Sequence, residues 1–228
     1  MSYVLITANR KYSSWSLLPW LLMRETGIPF EDRVELVSGR SDNEQFRQFS
    51  PTAQVPVLLD GDRTVWDSLG ITIYLGQRHA QVWPKDAGAA AWAISVTAEM
   101  HSGFSALRSQ CSMNIGVRVK LDPHSPALAR DIERVRAIWS EGIERFGGPF
   151  LAGEAFSAAD AFFAPVAFRF QTYGIDPGPV AGHWLRHALA LPGMQEWERM
   201  ALAETARDDV HESEFLVAGE LIEDRRAR

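Results

Sequence analysis

The chain is nearly without cysteine: Cys111 is the single thiol among 228 residues. An intrachain disulfide and C-x-x-C dithiol chemistry are thereby excluded, and the composition suits a reducing compartment. Long apolar runs are missing too. None approaches the roughly 20 residues that span a bilayer, and the first ten residues lack the basic-then-apolar pattern of a secretion signal. These absences predict a cytoplasmic, membrane-free chain. No basic block is present and the formal net charge is -6, which argues against nucleic acid as a partner. Neither a G-x-x-x-x-G-K-[ST] loop nor a G-x-G-x-x-G turn after a strand occurs. The histidines are read as forming no ligand cluster, so no metal is expected.

What the chain does have is apolar material, 46% of its residues against 23% charged. That suffices for one large domain or two small ones. The first part alternates strand and helix signals. Residues 3–7 read as a buried strand, followed by a loop and an apolar helix ending near Thr26, with Gly27 and Pro29 as the stop. Residues 30–37 read as a second strand, and the polar stretch 41–49 has room for a short helix. Residues 55–60 and 64–67, joined at Gly61-Asp62, read as a hairpin. A helix then runs from Ser68 to about Arg78. The order β-α-β-α-β-β-α implies a four-stranded mixed sheet of thioredoxin-like type.

After the Pro84 link, helical spacing dominates. Trp92, Val96, Met100, Phe104, Leu107 and Cys111 form one apolar stripe, and Leu128, Ile132, Val135, Ile138, Gly142 and Phe146 a second. Further helices are expected from Ser157, over 183–191 and over 194–203, with a charged, frayed tail at 223–228. The expected fold is an α/β thioredoxin-like domain at 1–80, a linker at 81–87 and an all-α helical bundle at 88–228.

Four short elements carry candidate chemistry. In the first, Ser13-Ser14-Trp15-Ser16 precedes Pro19; because proline lacks an N–H, the helix should begin just before it, with a serine from 14 to 16 as its cap. Unpaired N–H groups and the helix dipole then favour an anion beside Ser13 and Ser14. Lowering a thiol pKa from about 8.5 to about 6.5 takes about 2.7 kcal/mol, within reach of the dipole plus one or two hydroxyl donors. Plain helix capping explains the same serines. The second element is Gln54-Val55-Pro56, where the proline marks an edge or a turn. The third, Asp67-Ser68, opens a helix, with Ser68 as a cap whose neighbouring N–H groups suit a carboxylate. The fourth, Ser157-Ala158-Ala159-Asp160, is a capping box with Asp in place of Glu. Cys111 lies on an apolar stripe and reads as a buried, inert thiol.

In this order and spacing the four elements resemble the cytosolic glutathione transferase superfamily over about residues 3–205. The S-S-x-S element is similar to the serine-type classes, zeta above all. The resemblance implies that Ser13, or else Ser14, holds the thiol of glutathione as a thiolate. It implies that Val55 pairs its backbone with the cysteinyl part beside Gln54 and Pro56, and that Asp67 and Ser68 take the γ-glutamyl end. Lys11 and Arg40 are candidate charges for the glycine carboxylate. Glutathione is the implied cosubstrate, small and largely apolar electrophiles are the implied second substrates, and a homodimer is the implied assembly. Met100, His101 and Phe104 are candidates for the second-substrate pocket. An isomerase or peroxidase on the same fold, or a non-catalytic binding module, are the alternative outcomes. The zeta pattern has cysteine and a basic residue where this chain has Trp15 and Leu18, which separates it from that class's isomerase chemistry.

Overall fold

The computed structural model describes residues 3–37, 44–123 and 125–226. Its first layer is a four-stranded sheet, ordered β2-β1-β3-β4, of β1 (Tyr3–Thr7), β2 (Phe30–Val34), β3 (Val57–Asp60) and β4 (Arg63–Trp66). β1 runs parallel to β2, with Leu5 opposite Asp32, and antiparallel to β3, with Leu5 opposite Leu58. A parallel pair needs a crossover, supplied by α1 (Ser14–Glu25). β3 and β4 form the expected hairpin, with Gly61 at φ +62° in the turn. A short 3₁₀ turn (Glu44–Gln48) precedes β3, and α2 (Ser68–Gly76) follows β4.

The remaining helices are α3 (Ala87–Ser102), α4 (Ser105–Gln110), α5 (Pro126–Phe146), α6 (Ala158–Thr172), α7 (Ala181–Leu189), α8 (Pro192–Ala203) and α9 (Asp209–Ala218). α6 is the hub and packs against α1, α3 and α7. Nearly all of its residues are buried, as expected of a helix apolar on every side. Its start is the capping box: the Asp160 carboxylate accepts hydrogen bonds from the backbone N–H of Ser157 (3.0 Å), that of Leu151 (2.8 Å), Ser157 Oγ (3.1 Å) and Trp184 Nε1 (2.9 Å). Trp139 of α5 packs its ring 4.5 Å from that of Trp184 and 4.8 Å from that of Phe170.

Several expectations need correction. The long stripe from Trp92 to Cys111 is not one helix. It breaks at Gly103, and Phe104 takes a left-handed backbone at φ +58° before α4. The helical part also holds a two-stranded antiparallel ribbon, β5 (Val117–Leu121) with β6 (Gly219–Asp224). The tail is therefore held rather than frayed as far as Arg226, whose guanidinium pairs with Asp224 and Glu212. Pro19 lies inside α1, well past its first turn. A proline there costs about 3 kcal/mol, which the continuous burial of residues 16–23 offsets. No helix is long and apolar enough to cross a membrane among the described residues. His183 and His187 stand four apart on α7, a ligand-like spacing. The His187 ring packs edge-on against Phe150 at 4.9 Å, and no three His, Cys, Asp or Glu side chains converge as metal ligands among the described residues.

Candidate active site

A cleft of about 890 Å³ opens where the sheet's loops face α3, α4, α6 and α9. Ser13, Ser14, Gln54, Val55, Pro56, Asp67, Ser68 and His101 all line it. Residues from four separate stretches of the sequence thus share one surface.

The loop between β1 and α1 is fixed from several directions. Asn9 exchanges side-chain hydrogen bonds with the Val37 backbone (2.9 and 2.8 Å) and accepts the amides of Tyr12 and Ser13 on its carbonyl. Arg10 pairs with Asp32, which also accepts from Trp20 Nε1 (2.9 Å), and the Arg10 carbonyl accepts from Trp197 Nε1 (3.0 Å). Ser13, not a serine from 14 to 16, is the N-cap of α1, because the helix begins at Ser14. Its hydroxyl does not cap the helix amides; it donates to Ser16 Oγ (2.7 Å), which accepts the Ala8 amide as well (3.2 Å). The first-turn N–H groups thus keep their positive end uncapped by Ser13 and close to the cleft.

Tyr12 precedes Ser13 and lines the same cleft, with its hydroxyl committed elsewhere. Its hydroxyl donates to Glu212 of α9, and its ring stacks on His211 at 5.2 Å. Burial and that carboxylate push the phenol pKa up. Cys111 is fully buried, and burial pushes its thiol up to about 12, so it is no nucleophile.

Val55–Pro56 is a cis peptide bond. The cap of α2 is Asp67, not Ser68: its carboxylate accepts the amides of Leu69 (2.8 Å) and Gly70 (3.3 Å). Asp67 holds φ +68°, ψ +137°, a conformation costing a non-glycine residue about 1–3 kcal/mol and found mostly at functional positions. Ser68 is the first helical residue. Its hydroxyl is buried, lines the cleft and has no hydrogen-bond partner among the described residues. A buried hydroxyl left unpaired costs about 1–3 kcal/mol, so this one is suited to a ligand's polar group.

Across the cleft, His101 Nε2 lies 3.5 Å from Asp67 Oδ2, and its ring packs edge-on to Trp15 at 5.4 Å. Met100 and Phe104 do not line the cleft; both are buried, with Phe104 packed on Phe163 at 6.4 Å. Both stand on the apolar stripe, and that stripe packs into the core. Lys11 is fully buried with Nζ directed at the Ala206 carbonyl (3.4 Å) and is not part of the cleft lining. Arg40 lies outside the described residues. The far wall instead presents Trp15, Arg108, Ser112, Met113, Arg169 and His211. Arg169 had a visible signal: it is the one charged residue in the apolar run from Ala161 to Phe170.

Two family models match the chain, "Glutathione S-transferase, N-terminal domain" over residues 12–78 and "Glutathione S-transferase, C-terminal domain" over residues 125–199, together more than half of it. A zeta-class glutathione S-transferase of Euphorbia esula is 27% identical over 157 residues, covering 67% of this chain and 70% of that one. Glutathione S-transferase 3 of Zea mays is 26% identical over 190 residues, covering 77% and 84%. A Burkholderia glutathione transferase homolog solved with bound glutathione superposes with a TM-score of 0.66 at 22% identity over 88% of this chain and 98% of that one, an agreement of fold. With its sheet, helical layer and serine-bearing cleft, the chain belongs to the cytosolic glutathione transferase superfamily and is zeta-like in its N-terminal motif.

Proposed function

We propose that this protein binds glutathione along the sheet side of the cleft and presents its sulfur, as thiolate, to a small electrophile. The observation that carries the reading is the buried Ser68 hydroxyl, without a hydrogen-bond partner among the described residues, in the same cleft as Ser13. Ser68 and the first amides of α2 suit the γ-glutamyl carboxylate, and Asp67 suits its ammonium. Val55, between Gln54 and Pro56, is positioned for the cysteinyl backbone. The domain assignment is the same proposal at larger scale: residues 1–80 hold glutathione and residues 88–228 supply the second-substrate wall.

Ser13 is the donor to sulfur, with Ser14 the neighbour to be tested against it. A hydroxyl carries one proton and two acceptor sites and rotates to suit its partners. When Ser13 O–H turns to the sulfur, Ser16 O–H is placed to donate to Ser13 Oγ, while Ala8 N–H holds Ser16. The thiol proton leaves to solvent, and the sulfur pair is held by Ser13 and the helix dipole. The electrophile accepts that pair at carbon, with no covalent enzyme intermediate.

Ultraviolet difference spectra test the reading, since thiolate absorbs where thiol does not. Glutathione bound at pH 7 is expected to show the thiolate band. Bound glutathione that stays protonated, or no binding at millimolar concentration, overturns the enzyme reading and favours a binding module. The proposal includes a homodimer, supported by the exposed Trp66, Ile73 and Ile94 on β4, α2 and α3, with α2 packed against both neighbours. Light scattering is expected to give twice the chain mass; a monomer refutes the assembly.

A further inference from the structure

Three consecutive polar residues precede Ser13, and Arg10, Lys11 and Tyr12 are all buried. Buried polar groups need partners, and several of these come from residues 204–212. The Glu204 carboxylate accepts the backbone N–H of Arg10 (2.9 Å) and of Lys11 (3.4 Å). Lys11 Nζ donates to the Ala206 carbonyl, and the Tyr12 hydroxyl donates to Glu212. Segment 204–226 is thus a strap across the loop that carries the serine.

Glu212 is itself held. It pairs with Arg226 and with Arg207, the latter at 3.4 Å. Arg226 has only 7% of its side chain exposed, lies 5.3 Å from the centre of the Phe215 ring and also pairs with Asp224. The ribbon sets its place: β6 pairs with β5, and the Arg225 amide donates to the Gly116 carbonyl (2.8 Å). Gly116 leaves room for it, since a Cβ there would come within 2.3 Å of Arg226 Cγ. A line of contacts therefore runs from Gly116 through Arg226 and Glu212 to Tyr12, the residue next to Ser13. Tyr12 lines the cleft, whereas Glu212 and Arg226 stand outside its lining.

Fixing Tyr12 fixes Ser13, because the two share a turn: both amides donate to the Asn9 carbonyl, at 3.2 and 2.9 Å. A hydrogen bond forms well only over a narrow range of distance and angle, and small misplacements of a reacting group are costly. We infer that Tyr12, Glu212 and Arg226 are positioning residues, which hold the Ser13 hydroxyl where it donates to the glutathione sulfur. This role rests on the glutathione reading above and gives the carboxyl-terminal strap a part in that chemistry. In the rival arrangement Tyr12 leaves Glu212 and donates to the sulfur itself. The two differ in sign: releasing Tyr12 harms a positioning relay and helps a direct donor.

The test is the pH at which the ultraviolet thiolate band of bound glutathione appears, read well below the Tm of each variant. Glu212→Gln and Glu212→Ala remove the same negative charge, but only glutamine keeps an acceptor for the phenol, so their difference is positional. The bound thiol is expected to ionise about one pH unit higher in Glu212→Ala than in Glu212→Gln, which is a tenfold change in the equilibrium. Tyr12→Phe deletes a single oxygen, serves if the Glu212 variants fail to fold, and is expected to raise the thiol pKa by about one unit as well. On a Ser13→Ala background Tyr12→Phe should add nothing, because the relay acts through Ser13. Glutathione affinity at about pH 5, where the bound sulfur keeps its proton, should be nearly the same in all of them. A strap that only braced the fold would change Tm and leave the thiol pKa alone. Thiolate in the unaltered protein, with no difference between Glu212→Ala and Glu212→Gln or a further shift on the Ser13→Ala background, overturns this inference and leaves the glutathione reading standing. A lower thiol pKa in Glu212→Ala than in Glu212→Gln overturns it in favour of Tyr12 as the direct donor. Glutathione bound without any lowering of its thiol pKa in the unaltered protein removes the transferase reading and the relay together.

Discussion

Replacing Ser13 with alanine is expected to lower kcat/KM for glutathione transfer by about 10- to 100-fold, since a hydrogen bond to a charged group contributes about 1.5–3 kcal/mol. The same loss should raise the pKa of bound glutathione by about one to two units, so the thiolate band would emerge at higher pH. The effect is bounded because the α1 dipole and first-turn amides remain in place. Glutathione affinity should change less than turnover, because the γ-glutamyl contacts proposed for Asp67 and Ser68 are untouched. Ser14→Ala is the control. Ser14 lines the cleft as the first helical residue, while Ser13 carries the bond to Ser16. A Ser13→Ala enzyme with unchanged rate and thiolate spectrum, beside a crippled Ser14→Ala enzyme, would transfer the role to Ser14.

Asp160→Ala is expected to destabilise the fold by about 3–5 kcal/mol, the scale for deleting one member of a buried charged network. The carboxylate is 2% exposed and serves four donors from three segments: the Ser157 cap, the Leu151 amide and the Trp184 indole. Burial pushes its pKa up, and those four donors pull against that shift. Removing it strands all four donors in the interior at once. For a chain of this size the loss corresponds to about 6–20 °C in Tm. Asp160→Asn keeps one acceptor oxygen and should recover part of the loss. Thermal unfolding decides it; a shift of only a degree or two for Asp160→Ala would mean that the network is not cooperative. The two variants also separate two roles, since Ser13→Ala should leave Tm nearly unchanged.

The elements most legible in the sequence were those set by local chemistry. The serine cluster, the proline after Val55, the Asp67-Ser68 helix start and the capping box are each decided by neighbours within a few residues, and they lie where such signals put them. The roles within them were less legible. Cap and first helical residue differ by one position, and only backbone angles distinguish Asp67 from Ser68. Pro19 misled because helix-breaking is a local cost, whereas the burial of α1 is a tertiary gain. The break in the stripe from Trp92 to Cys111 was illegible for a similar reason: period 3.6 carries no information on a single left-handed residue, here Phe104. β5 does show the alternation of a strand, Val-Arg-Val-Lys-Leu, but its partner lies about a hundred residues later and has its own polar pattern. Arg169 was visible as a charge in an apolar helix, yet that it lines the cleft depends on how the helices pack.

Tyr12 and Glu212 are 200 residues apart in sequence, and the hydrogen bond between them ties the serine-bearing loop to α9. All four strands of the sheet lie within the first 66 residues, so during synthesis the sheet's side of the cleft emerges from the ribosome long before its opposite wall. Asp208, His211 and Glu214 follow about 140 residues later. Until then the nascent cleft lacks one side, and the Tyr12 phenol and the Ser13 loop face water. The cleft therefore gains this side only once α9 has been made.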